Sequence, residues 1–241
     1  EGRDMRMIGH RGARGEAPEN TLGGFQYRRE LGLRAVEFDV RQLKDDALII
    51  MHDDHFIRTT GQDKALYDCT TEDLKHYNHA VTWSAWNKVE ETPLLDQTLK
   101  MIENFEHIEV EVKAVATQQE ADRLTLSLQQ QLQGFEHSAV ITSFDAKIHH
   151  ALQQQNSNFK RGLLIEEDVK FKAIDQALNL GCCQIGWMNP LATDEIIKAT
   201  QAAQLAISVW TVNDVERAKK LKDLGITGLI TDVPKLMLQQ L

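Results

Sequence analysis

Val36-Glu37-Phe38-Asp39-Val40 is the stretch of this 241-residue chain that decides its fold. Apolar side chains alternate with two carboxylates, which is the pattern of a β-strand. Because successive side chains of a strand point to opposite faces, Glu37 and Asp39 share one face and the apolar residues share the other. The stretch therefore predicts a strand with a packed apolar face and an acidic face.

Similar short runs alternate with helical patterns along the rest of the chain. The predicted strands are residues 6–9, 35–40, 108–112, 139–144, 161–165, 183–187, 206–211 and 228–231. The predicted helices are residues 21–31, 95–104, 118–132, 146–155, 170–180, 194–203, 214–224 and 234–241. Eight strand–helix units predict an α/β fold of the (β/α)8 TIM-barrel type, closed by its first and last strands. An open, doubly wound sheet is the alternative, disfavoured by the strand count and by the lack of a Gly-rich nucleotide loop.

Residues at the predicted helix ends agree with this segmentation. Gly32, Gly181 and Gly225 each follow a helical pattern, as glycines that end helices do. Asn20 precedes the first helix, and we expect it to be the N-cap.

One long connection interrupts the alternation of strands and helices. An additional strand-like run at residues 48–51 is followed by a polar stretch that contains Trp83 and Trp86. Long connections of this kind are usually functional. We therefore expect one domain over residues 1–241, with residues 53–93 forming a small inserted subdomain above the barrel mouth.

The composition excludes several classes of partner. The net charge of −9 argues against a nucleic-acid binder, and the apolar runs fall far short of the roughly 20 residues that span a bilayer. Three cysteines, two of them adjacent, predict free buried thiols and a cytoplasmic location. The first residues lack the apolar core of a signal peptide, which agrees with that location. The sequence therefore predicts no stable membrane anchor, and because no interface is evident it leaves the oligomeric state open.

Carboxylates on two neighbouring strands predict a metal site. Glu111 and Lys113 lie on one face of the third predicted strand, next to the strand that carries Glu37 and Asp39. Three confined carboxylates need compensating charge, and all-oxygen ligands suit one Mg²⁺ or Ca²⁺ ion rather than zinc. Two alternatives stay open: the acids simply pair with Lys113 and Arg11, or histidines complete an iron site.

His10 and His52 end strand-like runs and are the candidate acid–base pair. Histidine titrates near neutrality, so two of them can protonate a leaving alkoxide and deprotonate an attacking oxygen. Arg11 and Lys113 can hold phosphate oxygens, and Trp210 can form an apolar wall against a substrate. We expect the other seven histidines to be solvated or to cap helices: His55, His76, His79, His107, His137, His149 and His150.

Taken in order, the motifs of this chain resemble those of the glycerophosphodiester phosphodiesterase family over nearly its whole length. They are His10-Arg11-Gly12, Pro18-Glu19-Asn20-Thr21, Glu37-Phe38-Asp39-Val40, His52-Asp53 with Arg58-Thr59-Thr60-Gly61, Glu111-Val112-Lys113, Thr142-Ser143-Phe144-Asp145, Trp210-Thr211-Val212-Asn213 and Ile230-Thr231-Asp232-Val233-Pro234.

The resemblance implies hydrolysis of a glycerophosphodiester to sn-glycerol 3-phosphate and an alcohol by a metal-dependent TIM barrel. It places the metal ligands on Glu37, Asp39 and Glu111, and the phosphate contacts on Arg11 and Lys113. The catalytic pair falls on His10 and His52, and residues 53–93 enclose the glycerol end. The rival functions are a phospholipase D-type hydrolase of lysophospholipids or sphingolipids and a non-catalytic phosphate-binding barrel.

Overall fold

A computed structural model describes residues 4–241 as a closed barrel of parallel strands with one additional strand at its edge. The strands are β1 (Arg6–Gly9), β2 (Ala35–Gln42), β3 (Leu48–Ile50), β4 (His107–Val112), β5 (Ala139–Ser143), β6 (Lys160–Ile165), β7 (Gln184–Met188), β8 (Ala206–Trp210) and β9 (Gly228–Thr231). All except β3 form the barrel, so the predicted eight-stranded TIM barrel is confirmed.

Barrel closure depends on the first strand. β1 pairs with β9, where Ile8 lies opposite Ile230, and also with β2, where Gly9 lies opposite Val36. The strands that begin and end the chain are therefore neighbours. β3 is antiparallel to β2 and extends the sheet outside the barrel, with Val40 opposite Ile50.

The helices lie in the connections between the strands, and all except α2 lead from one barrel strand toward the next or follow the last one. They are α1 (Leu22–Glu30), α2 (Ile57–Thr60), α3 (Leu95–Met101), α4 (Gln118–Gln131), α5 (Ala146–Gln154), α6 (Lys172–Asn179), α7 (Asp194–Ala202), α8 (Val215–Asp223) and α9 (Pro234–Gln240). Across residues 4–241, none of these helices has both the length and the apolar character needed to cross a bilayer. Left-handed backbone at Gly32, Gly181 and Gly225 confirms the predicted helix ends.

The predicted N-cap of α1 is wrong by one residue. Thr21 is the cap: its backbone is extended and its hydroxyl accepts a hydrogen bond from the Gly24 amide at 3.0 Å. Asn20 instead has a positive φ of 52° and donates from Nδ2 to Asp39 Oδ2 at 3.0 Å. A residue expected to begin a helix thus supports a buried carboxylate in the barrel.

The alternation along β2 separates the apolar layer from the polar barrel interior. Val36, Phe38 and Val40 are buried in the large hydrophobic cluster beneath the surrounding helices, and Phe38 packs edge-on against Phe25 of α1 with ring centroids 5.7 Å apart. The intervening carboxylates point into the barrel. Packing of the apolar face against the helices therefore directs the acidic face of β2 into the barrel.

Three histidines contradict the expectation that they are solvated or act as caps. His107 is buried and its Nε2 lies 2.7 Å from Glu109 Oε2. His149 is fully buried and bonds the Ser143 carbonyl through Nε2 at 2.9 Å. His79 is buried between the hydroxyls of Thr59 and Thr92. These partners of His79 and His149 lie between 6 and 20 positions away. Glu109, in contrast, lies two residues from His107 on the same strand, a spacing that places the two side chains on one face.

The connection between β3 and α3 contains α2, two short 3₁₀ helices and a hydrophobic cluster of its own. Phe56 and Tyr77 stack within that cluster with centroids 3.7 Å apart. Glu90 ties the segment to α1, because its carboxylate accepts hydrogen bonds from the Gly23 amide at 3.0 Å and from Trp86 Nε1 at 3.1 Å. The connection is therefore held against the barrel by a buried carboxylate.

Glu90→Ala is expected to loosen this segment without unfolding the barrel. Each buried donor left unpaired costs about 1–3 kcal/mol. Hydrogen exchange should therefore accelerate over residues 78–92 while strands β4–β8 keep their protection. Glu91→Ala, at the exposed neighbouring position, is the matched control; equal exchange rates in the two variants would contradict the anchoring role.

Candidate active site

A cavity of about 540 Å³ opens at the carboxyl ends of the barrel strands. Seven of the eight residues singled out from the sequence line it, and Asp39, with 1% of its surface exposed, lies buried beside them. The seven are His10, Arg11, Glu37, His52, Glu111, Lys113 and Trp210. The barrel thus brings every sequence-predicted site residue to one place.

Three carboxylates converge on the cavity floor. Strand register places Asp39 opposite Glu111 and Glu37 opposite Glu109, and one oxygen from each of Glu37, Asp39 and Glu111 lies within 4.8 Å of the others. The buried Oδ1 of Asp39 has no hydrogen-bond partner within residues 4–241. These oxygens form a cluster with the donor set that a hard divalent cation prefers.

Mutual repulsion shapes the charge of this cluster. Burial and the nearby charges of Asp39 and Glu111 raise the pKa of Glu37 well above its ordinary value. Burial and Asp39 raise the pKa of Glu111 to about 7. Burial opposes the charged form of Asp39 as well, but Arg11 and Lys113 outweigh it and lower the pKa of that carboxyl. The cluster is therefore short of positive charge.

Arg11 and Lys113 supply part of that charge. Lys113 Nζ donates to Glu111 Oε2 at 2.7 Å, and Arg11 Nε lies 3.5 Å from Asp39 Oδ2. The ion pairs that the sequence offered as an alternative to a metal site, between the acids and Arg11 or Lys113, are therefore present. Within residues 4–241, however, no lysine or arginine side-chain nitrogen lies within 4.0 Å of the Glu37 carboxylate, which accepts only the backbone amide of Arg11 at 3.1 Å and has the His10 ring at 3.9 Å. Pairing alone does not compensate the cluster.

His10 is held by two residues from the last strands of the barrel. Its Nδ1 lies 2.6 Å from Asp232 Oδ1. Asn213 donates from Nδ2 to Asp232 Oδ2 at 2.9 Å, and its Oδ1 accepts from the Asp232 amide at 2.9 Å. The opposite ring nitrogen, Nε2, lies 3.9 Å from Glu37 Oε1. The imidazole is thus oriented with Nε2 toward the carboxylate cluster.

His52 is held by a longer chain of ionic contacts. Its Nδ1 lies 2.9 Å from Asp53 Oδ1, and Arg58 binds the same carboxylate through Nε at 2.8 Å. Arg58 also binds both oxygens of Glu19 at 2.7 and 2.8 Å, and Glu19 in turn accepts from Arg11 Nη1 at 2.9 Å. Burial, together with the charges of Arg11 and Lys113, lowers the pKa of His52. The chain connects His52 to the guanidinium of Arg11.

The residues that hold the histidines have no role that the sequence pattern indicates, although all of them belong to the quoted motifs. They are Asp53, Arg58, Glu19, Asn213 and Asp232. One signal was available, because Asp53 directly follows a histidine at the end of a strand. The partnership of His10 with Asp232 spans 222 positions, and no spacing rule reveals it.

An aromatic wall forms the side of the cavity away from the carboxylates. Trp210 and Phe144 meet edge to face, with centroids 5.6 Å apart. Trp210 Nε1 donates to the Gly186 carbonyl at 3.0 Å, so the indole presents carbon surface to the cavity. A Cβ at Gly186 would lie 2.6 Å from Leu164 Cδ2; glycine therefore leaves the space that this wall occupies.

A barrel that presents carboxylates, histidines and cations around one cavity is typical of enzymes that hydrolyse phosphate esters. The model of the glycerophosphoryl diester phosphodiesterase family matches residues 10–236, and the chain belongs to this family. Its predicted class, a phosphoric diester hydrolase, is confirmed.

Known relatives and solved structures are similar to this protein over nearly the whole chain. A glycerophosphodiester phosphodiesterase of Caldanaerobacter subterraneus subsp. tengcongensis is 24% identical, over 96% of this chain and 96% of that protein. The rat lysophospholipase D GDPD1 is 23% identical, over 95% of this chain and 83% of the relative. The structure of an Oleispira antarctica phosphodiesterase in complex with its product sn-glycerol-3-phosphate superposes with a TM-score of 0.85 at 21% identity, covering 98% of this chain and 96% of that one.

Glu19→Gln is expected to destabilise the protein in a pH-dependent way. Burial opposes the charged form of Glu19, but Arg58 and Arg11 outweigh it and lower its pKa from 4.5 to about 2. This difference corresponds to about 3 kcal/mol of stability, present above pH 4.5 and lost as the pH falls toward 2. Urea unfolding should therefore show a loss of about that size at pH 7 and under about half of it at pH 3.

The control for Glu19→Gln is Glu103→Gln, which removes an exposed carboxylate. Its effect should be small at both pH values. A destabilisation by Glu19→Gln that is equal at pH 7 and pH 3 would show that the ionised form of Glu19 does not stabilise the fold.

Proposed function

We propose that this chain hydrolyses glycerophosphodiesters to sn-glycerol 3-phosphate and an alcohol, with one divalent cation and with His10 and His52 as the acid–base pair. The observation that carries the proposal is the undercompensated cluster of Glu37, Asp39 and Glu111 between two histidines, each held by a carboxylate. Family membership and the product bound by the Oleispira antarctica structure support the substrate class.

The carboxylate cluster fits a Mg²⁺ or Ca²⁺ ion. The donors are all oxygens, and Asp39 Oδ1 has no partner within the described part of the chain. Glu37, Asp39 and Glu111 would hold the ion. When bound, the cation would neutralise negative charge that develops on the phosphoryl oxygens. Arg11 and Lys113, at the edge of the cluster, would contact the remaining phosphate oxygens.

The two histidines have complementary tasks in this proposal. One imidazole takes the proton of the attacking oxygen, whether this belongs to water or to the glycerol 2-hydroxyl, and the other gives a proton to the departing alkoxide. Asp232 and Asp53 each hold a ring through Nδ1, which leaves Nε2 as the atom that exchanges protons. Asn213 and Arg58 act as positioning residues, because each binds one of those aspartates.

Residues 53–93 would form the inserted subdomain that encloses the glycerol end, supported by their own hydrophobic cluster and by the Glu90 anchor. Trp210 would provide the apolar wall against the substrate.

The cytoplasm is the proposed location. It is supported by three cysteines without disulfides, although Cys183 is exposed rather than buried as expected.

His10→Ala and His52→Ala are each expected to lower kcat by about 10²- to 10⁴-fold, because each removes a proton-transfer group. The measurement is hydrolysis of sn-glycero-3-phosphocholine with Mg²⁺ or Ca²⁺ present, with thermal melting to show that the fold is intact. His150→Ala, at an exposed position on α5, is the control. Near-normal turnover by either active-site variant would refute its acid–base role.

The same assay distinguishes the rival activity. A lysophospholipase D would hydrolyse lysophosphatidylcholine faster than glycerophosphocholine. The proposed enzyme has the reverse preference, since its cavity of about 540 Å³ is lined by charged and aromatic residues rather than by a long apolar groove.

Cation affinity is expected to increase with pH through neutrality. In the free protein, burial and the charge of Asp39 raise the pKa of Glu111 to about 7. The same two causes raise the pKa of Glu37 well above its ordinary value. Because a ligating carboxylate must be ionised, binding releases these protons. Calorimetry with Mg²⁺ or Ca²⁺ should show tighter binding at pH 8 than at pH 6, and proton release at pH 6.

Removal of the metal with EDTA should abolish activity, and added Mg²⁺ or Ca²⁺ should restore it. Full activity without metal would contradict the proposal that the three carboxylates bind a cation needed for hydrolysis.

A further inference from the structure

We infer that Arg41 is a positioning residue of the active site, which fixes the backbone of His52 relative to the carboxylates of β2. The inference rests on the proposed function and adds to it a residue outside all the motifs quoted above. Arg41 lies outside the lining of the active-site cavity as well. It therefore acts on the reaction only through His52.

The backbone of His52 receives little support from the strand that precedes it. A backbone hydrogen bond joins the Met51 amide to the Asp39 carbonyl at 3.0 Å, and His52 follows this last contact with β2. In the part of the chain that the structure describes, neither the amide nor the carbonyl of His52 bonds to another backbone group. The His10 amide, by contrast, donates to the Thr231 carbonyl at 2.8 Å. The strands thus hold one catalytic histidine but leave the other to side chains.

Arg41 supplies the contact that the backbone lacks. Its Nε and Nη2 both donate to the His52 carbonyl, at 3.0 and 2.6 Å, and its Nη1 donates to the Tyr67 hydroxyl at 2.9 Å. A guanidinium can make these bonds together because its N–H groups form a planar, rigid fork. Its charge strengthens the bonds, although both acceptors are neutral oxygens. The side chain therefore fixes the His52 carbonyl from one strand away.

The place of Arg41 on β2 determines what this contact aligns. Glu37, Asp39 and Arg41 alternate along the strand and so share one face. The first two are proposed ligands of the cation, and the third holds the histidine proposed to exchange protons. One strand thus sets the separation between the cation and the His52 ring.

A second cavity separates the role of Arg41 from phosphate binding. Arg41 lines this neighbouring cavity of about 340 Å³ together with Lys44, Tyr67, Lys113 and Arg123. A lost phosphate contact would raise KM, whereas a displaced proton-transfer group lowers kcat. Because exposed residues such as Lys44 line the cavity, a small cation in solution can enter the space that a shortened Arg41 would leave.

The test measures hydrolysis of sn-glycero-3-phosphocholine by Arg41 variants with Mg²⁺ or Ca²⁺ present. Arg41→Ala is expected to lower kcat by about 10²-fold, the loss that a displacement of about 1 Å can cause, and to change KM by less than about twofold. Added guanidinium should raise kcat of this variant about tenfold, whereas sodium chloride at the same ionic strength should not. Arg41→Lys keeps the charge without the fork and should recover little of the lost kcat.

A second readout does not require turnover. The ring Cε1–H signal of His52 in NMR spectra, identified by its loss in His52→Ala, should shift or broaden in Arg41→Ala, while that of His10 stays unchanged. Arg123→Ala is the matched control. It removes an arginine from the same cavity, where Arg123 forms an exposed pair with Asp46 at 3.5 Å, and it should change neither kcat nor the His52 signal.

The inference is overturned if Arg41→Ala keeps kcat within about twofold of the unaltered protein, or if its effect falls on KM. It is also overturned if guanidinium restores no more activity than sodium chloride does. An unaltered protein that hydrolyses no glycerophosphodiester would refute the proposed function. An unchanged His52 signal in Arg41→Ala would refute the positioning role by itself, so the two failures are distinguishable.

Discussion

Repulsion among three buried carboxylates is the constraint on which the rest of this site depends. Glu37, Asp39 and Glu111 approach within 4.8 Å on the barrel floor, where low polarity makes like charges costly. Arg11 and Lys113, both largely buried, offset part of that cost, and Asn20 holds one oxygen of Asp39. The surrounding contacts thus leave the cluster with too little positive charge, which the proposed cation would supply.

The part of the site that follows from local pattern was predictable. Alternation along β2 and β4 identified Glu37, Asp39 and Glu111, and the barrel places these strands side by side in the register that joins Asp39 to Glu111. The fold followed from the same periodicity, repeated in strand after strand. Local rules were sufficient here because the relevant contacts are between adjacent strands.

The residues that hold the histidines were not predictable in the same way. Glu19 meets Arg58 across 39 positions, and His10 meets Asp232 across the whole chain. Such contacts arise only once the barrel closes. The assignment of seven histidines to solvated or capping roles failed at His79, His107 and His149. The partners of His79 lie 20 and 13 positions away and become apparent only in the folded chain. His107 is different, because its partner Glu109 lies on the same strand. Asn20 was predicted to be the N-cap of α1, whereas its side chain donates a hydrogen bond to Asp39 on β2.

Barrel closure has a consequence for the order in which the site can assemble. The imidazole of His10 follows β1, and the carboxylate that orients it follows β9. The segment from β1 to β8 therefore contains Glu37, Asp39, Glu111 and both histidines but cannot orient His10. The orientation of His10 depends on the pairing of β9 with β1, which is the contact that closes the barrel.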